Sequence, residues 1–187
     1  MQKNPAEQEQ EQQQTLLRLE TVLQQLYTVY QTLRNEDRSE TSHTSQMLHT
    51  KDQSFFARRL KDELGELEGV QSGTHKHKSR PADTVLEGSQ VSYWLFLLAA
   101  LKNIPYDDFL PHASLLHGYT GQYKAAKVAS LRDECLRQIL SDDLVQFKRA
   151  LIHGFSLVGW GCVSAGISPL APAEYDLEQM RNKGLLQ

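Results

Sequence analysis

Between positions 16 and 33 apolar side chains return every three or four residues: Leu16, Leu19, Val22, Leu23, Leu26, Tyr27, Tyr30 and Leu33. That period gathers them into one stripe on an α-helix. No convincing series of alternating, strand-type segments and no internal repeat accompanies it. Such stripes are buried by packing helix on helix, so the expected fold class is all-α.

The 187 residues are 40% hydrophobic, enough for one domain with a substantial core. A net charge of -3 argues against a general nucleic-acid binder, which carries a basic excess. Cys135 and Cys162 show neither metal-site spacing nor a disulfide framework, which points to a reducing, cytoplasmic setting. The opening "MQKNPAEQEQEQQQ" is polar and Gln-rich, unlike a signal peptide, and residues 1–12 are expected to be disordered. From Ala150 to Ala173 there is no Lys, Arg, Asp or Glu, a run long enough to span a bilayer. His153, the repeated Gly and Ser, and Pro169 and Pro172 favour a buried helix or an oligomer interface instead, so no membrane partner is expected.

The pattern predicts helices over about 13–35, 51–70, 82–103, 122–140, 142–160 and 172–183, with a short one in "DDFLPHASLLHG". Residues 35–50 read as a polar connection with room for a short helix. "QSGTHKHKSRP" reads as a loop, in which Gly73 breaks the periodicity and Pro81 suits a helix N-terminus. The whole forms a single domain over 13–187.

Two of these helices carry acids where core residues belong. On a helical wheel at about 100° per residue, Phe56, Leu60, Leu64, Leu67 and Val70 share an arc. Glu63 falls inside that arc and Glu66 at its edge. On the next long helix Val91, Trp94, Leu98 and Leu101 define the apolar arc; Glu87 falls in its middle, with Asp83 and Gln90 on the other flank. An unpaired carboxylate costs several kcal/mol to bury, or else it is protonated. Inward carboxylates on two helices suggest a shared cation, and oxygen-only donors favour Mg²⁺. With no His or Cys near these positions, zinc is disfavoured. The plainer alternatives stand beside this: Glu66 as a partly solvated edge residue, and Glu63 or Glu87 in a buried ion pair with Arg59 or a later Lys.

"RLKDELGELEGV" followed by "EGSQVSYWLFLLAALKNIPYDDFL" resembles the MazG-like, all-α nucleoside triphosphate pyrophosphohydrolases, whose superfamily includes phosphoribosyl-ATP pyrophosphohydrolase and the dimeric dUTPases. The resemblance covers about 51–117 and implies a helical core over 13–117, extended by helices over 118–187. The hallmark is E-x-x-E on one helix and E-x-x-D on the next. Here the first half is Glu63-Leu-Gly-Glu66; the second reads Glu87-Gly-Ser-Gln90, an amide in place of the final acid. The resemblance implies that Glu63, Glu66 and Glu87 hold one or two Mg²⁺ ions, with Mn²⁺ as the alternative. Attack by water at the α-phosphorus would release pyrophosphate and a nucleoside monophosphate. It also implies a homodimer or homotetramer. Because Gln90 can ligate but brings no charge and cannot act as a base, Asp83, one turn before Glu87, is expected to compensate as a metal ligand and catalytic carboxylate.

Other groups carry weaker signals. Lys76, Lys78 and Arg80 lie in the loop between the acidic helices, either to meet substrate phosphates or as a solvated basic loop. His75 and His77 are disfavoured as metal ligands because no third ligand is placed beside them. Trp94 is a base-stacking candidate, but two turns beyond Glu87 it reads first as core. The glycines of "GFSLVGWGCVSAG" suit close helix approach rather than a phosphate loop, since no strand precedes them. Two rival readings keep the fold and change the function: a catalytically weakened nucleotide-binding regulator, and a helical interaction protein with charged pairs inside the bundle.

Overall fold

The computed structural model describes residues 4–186. Among these there are eight α-helices and no strand: α1 (Pro5–Asn35), α2 (His43–Thr50), α3 (Gln53–Ser72), α4 (Arg80–Leu101), α5 (Pro111–Thr120), α6 (Ala125–Gln138), α7 (Leu144–Ala165) and α8 (Ala171–Asn182). The all-α expectation holds. Helix α1 starts at Pro5, well before the expected 13, so the polar, Gln-rich residues 5–12 are helical rather than a disordered tail; residues 1–3 lie outside the described residues. Gln and Glu are good helix formers, and they extend a helix nucleated by the buried stripe that follows.

The helix starts are built locally. Asp52 Oδ1 accepts from the Phe55 backbone N–H at 2.9 Å, and Ser79 Oγ from that of Ala82 at 3.3 Å, with Pro81 in the first turn of α4. Asp143 Oδ1 accepts from Val145 N–H at 2.8 Å and opens α7. Each cap satisfies a backbone donor that helix geometry leaves orphaned.

Every helix contributes to one hydrophobic core. Leu19, Leu23, Tyr27 and Tyr30 bring in the stripe of α1, and Phe96, Leu97 and Leu98 make α4 its centre. α7 packs along α4, α5 and α6, while α8 packs on α4 and α1. The charge-free run Ala150–Ala173 is divided: α7 ends at Ala165, and α8 begins at Ala171. Ala150, Leu151, Phe155 and Val158 are fully buried in the fold. Among the described helices, α4 is the one long and apolar enough to cross a membrane, and most of it is covered by its neighbours.

The glycines of α7 allow an unusually close crossing. A Cβ on Gly159 would stand 1.8 Å from the Leu115 carbonyl oxygen, and one on Gly118 1.7 Å from that of Ser156. Only glycine at both positions lets α5 and α7 meet backbone to backbone. Ser156 Oγ then donates to the Ser114 carbonyl at 3.0 Å across the crossing.

Candidate metal centre

Helices α3 and α4 lie against each other and bring the predicted acids together. Glu63 is 6% exposed and Glu87 2% exposed; Glu66, at the edge, is about half exposed. Carboxylate oxygens of Glu63, Glu66 and Glu87 all lie within 4.8 Å of one another. The two central positions on the wheel are thus the buried ones, and the edge position is the half-solvated one.

Arg59, one turn before Glu63, donates from Nη2 to Glu63 Oε1 at 2.7 Å and also reaches Asp62 Oδ2 at 3.2 Å. Its guanidinium sits 5.3 Å from the centre of the Trp94 ring. The Arg59 ion pair therefore exists alongside the carboxylate cluster. It meets one of three negative charges, while Glu87 has His75 Nε2 as its ionic partner at 3.3 Å. Burial raises the Glu63 carboxyl above its ordinary range, against the pull of Arg59 and with a push from Glu66. Burial also raises that of Glu87, helped by Glu66 and Glu63 and opposed by His75. Three carboxylates gathered this closely are the donor set a divalent cation neutralises.

Asp83 does not join them. Its carboxylate accepts from the backbone N–H of His77 through Oδ2 at 3.0 Å, and from that of Lys78 through Oδ1 at 3.0 Å and Oδ2 at 3.2 Å. Burial pushes its carboxyl up, but these two N–H groups, with His77 and His75 nearby, outweigh that and hold it below the ordinary range. Asp83 ties the α3–α4 loop to the start of α4, which places it elsewhere than the compensating role expected of it.

Gln90 also points away from the triad's company. It lines a separate cavity of about 610 Å³ between α1, α2, α4 and α8, together with Tyr30, Tyr93 and Asp176. Trp94 is 6% exposed and packed against Phe55, Phe56 and Tyr93, which makes it core rather than an open base-stacking wall. Its buried Nε1 favours the charged form of Glu63 yet makes no hydrogen bond. Lys76, Lys78 and Arg80 are exposed; Arg80 Nε donates to Gln71 Oε1 at 3.0 Å.

Two features escaped the sequence. His75 folds back onto the acids, its Nε2 3.3 Å from Glu87 Oε1 and 3.6 Å from Glu66 Oε2. The H-x-H spacing was visible, but nothing in it says where the loop lands. Second, Tyr30 donates its hydroxyl to Asp176 Oδ2 at 2.8 Å, joining α1 to α8. Burial pushes the Asp176 carboxyl up to about 6, although Tyr30 and Lys183 both lower it. No local signal marks that pairing.

Comparisons with protein-family models, with curated proteins and with solved structures find no match to this chain.

Proposed function

We propose that the chain is a MazG-like, Mg²⁺-dependent nucleoside triphosphate pyrophosphohydrolase that releases pyrophosphate and a nucleoside monophosphate, or acts likewise on phosphoribosyl-ATP. The observation that carries this reading is the convergence of Glu63, Glu66 and Glu87 within 4.8 Å on two packed helices. The sequence pattern points to these same three residues, and the two buried ones have Arg59 and His75 as their ionic partners among the described residues. Glu63 is held in place by Arg59, Glu87 by burial in the α3–α4 seam, and Glu66 presents its carboxylate at the solvent edge, where a triphosphate would arrive. A Mg²⁺ ion held there would neutralise charge on the phosphates and activate a water for attack at the α-phosphorus. Lys76 and Lys78, exposed on the neighbouring loop, are candidates to meet the outer phosphates. The reading includes a cytoplasmic homo-oligomer.

One observation favours a second reading, nucleotide binding without turnover. The fourth position of the motif is Gln90, which lines the Asp176 cavity, and no fourth carboxylate joins the triad among the described residues. Pyrophosphate release from a panel of dNTPs, NTPs and phosphoribosyl-ATP with Mg²⁺ separates the two. Under the hydrolase reading at least one substrate turns over, and Glu63→Gln lowers kcat by about 100-fold or more, the scale on which loss of one charge-stabilising group acts. Thermal stabilisation by a nucleotide with no pyrophosphate released would support the regulator. Neither effect would leave a helical interaction protein.

A further inference from the structure

We propose that His75, His77 and Glu87 form a second metal site, one for a transition-metal ion of the Zn²⁺ class, beside the carboxylate triad. The expectation against histidine ligation rested on the lack of a third ligand, and the fold supplies one. A donor atom from each of the three residues lies within 4.8 Å of the other two. His75 Nε2 and Glu87 Oε1 are 3.3 Å apart. Two ligands of a tetrahedral ion, each at about 2.0 Å, stand about 3.3 Å from one another. The pair is therefore already at ligand spacing.

The orphaned donor is the second indication. His75 Nε2 is buried and has no hydrogen-bond partner, although Glu87 is next to it. Buried polar atoms are almost always satisfied, and an unsatisfied one asks for a missing partner. Glu87 is 2% exposed, and His75 is its ionic partner among the described residues. An ion between them would satisfy the imidazole nitrogen and neutralise the carboxylate.

The loop is built to bring the imidazoles there. Helix α3 ends at Gly73 in the left-handed region, φ 80°, and the backbone N–H groups of Thr74 and His75 fold back to donate to the Gly69 carbonyl at 2.9 and 3.1 Å. A Cβ on Gly69 would stand 2.8 Å from His75 Cβ, so glycine makes room for the histidine to lie on the helix. On the far side Asp83 grips the backbone of His77 and Lys78. The two imidazoles meet edge to face with centroids 4.5 Å apart. His77 is exposed, so a three-ligand ion would keep an open position toward solvent. Imidazole donors select Zn²⁺ or a similar ion over Mg²⁺.

Glu87 belongs to both donor sets, but this site does not depend on the hydrolase reading. The test is isothermal titration of the full chain with Zn²⁺ in excess Mg²⁺, which occupies oxygen-only sites. Wild type is expected to bind Zn²⁺ and Glu63→Gln to retain that binding. His77→Ala is expected to lose at least about 100-fold in affinity, the upper end of what loss of even an outer-shell partner costs. Because His77 is exposed, a circular dichroism spectrum matching wild type is expected for this variant. Co²⁺ gives a second readout: wild type should show the visible absorption of a tetrahedral ion, and His77→Ala should not. Wild type that takes up no Zn²⁺ in excess Mg²⁺ would overturn the site. So would His77→Ala that binds Zn²⁺ as wild type does, which would assign the ion to the carboxylates. Pyrophosphate release by wild type with Mg²⁺ alone reports on hydrolysis separately.

Discussion

Asp83 and Glu87 stand one turn apart on the same face of α4, equally buried, and their carboxyls shift in opposite directions. The difference is what meets each one. Asp83 takes two backbone N–H groups; Glu87 faces two other carboxylates and an imidazole. A wheel puts both acids on one face and cannot distinguish them, because the groups that decide arrive from the loop and from α3. Asp176 gives the same lesson with a measurable consequence. Its carboxyl titrates near 6 in the fold and near 3.8 when exposed, so the folded state binds more protons than the unfolded chain between those values. Stability should therefore fall as pH rises from about 4 to about 6.5, by up to about 3 kcal/mol from this group. Urea unfolding across that range should show the slope in wild type and a shallower one in Asp176→Asn. An unchanged slope would mean that Asp176 is not the group responsible. Glu87→Gln removes repulsion within the triad, and without divalent ions it should raise the thermal midpoint by a few degrees, on the order of 1 kcal/mol for a chain this size.

At the scale of elements, the helices were legible because the apolar period repeats along the chain and Pro81 suits the start of α4; the caps at Asp52 and Ser79 emerge only in the fold. The α1 start was not, because composition alone cannot tell a disordered Gln-rich tail from the outer turns of a helix anchored further on. Of the site, Glu63, Glu66 and Glu87 could be read directly, since a carboxylate in the middle of an apolar arc is visible on one helix at a time. His75, the role of Asp83 and the Gln90 cavity could not, since each depends on which loop or helix docks where. The α5–α7 crossing shows how specific that docking is. Gly159→Ala would drive a methyl into the Leu115 carbonyl, so the helices must separate and the Ser156–Ser114 bond must break. A loss of at least about 3 kcal/mol is expected by urea unfolding, at the upper end of overpacking costs. A variant with the wild-type urea midpoint would contradict the close approach.

For the whole molecule, the helices beyond Thr120 are part of the same core. Arg132 on α6 pairs with Glu68 on α3 at 2.7 Å, and a Cβ on Gly88 of α4 would stand 3.0 Å from Pro172 of α8. The C-terminal helices thus brace both helices that carry the carboxylate cluster. A chain ending at Thr120 should lose cooperative thermal unfolding and divalent-cation binding together, because Leu95 and Phe96 lose the cover of Gly154 and Phe155 on α7. A truncated chain that melted cooperatively would show that residues 5–120 hold a core of their own. The central claim is that Glu63, Glu66 and Glu87 hold a divalent cation in the α3–α4 seam. Mn²⁺ titration followed by electron paramagnetic resonance tests it most directly, in a His77→Ala background that removes the histidine site. The parent should bind Mn²⁺ displaceable by Mg²⁺, and adding Glu66→Gln, a change at the half-exposed edge that leaves the core intact, should weaken binding by at least about tenfold. No bound Mn²⁺, or equal binding with and without Glu66, would contradict it.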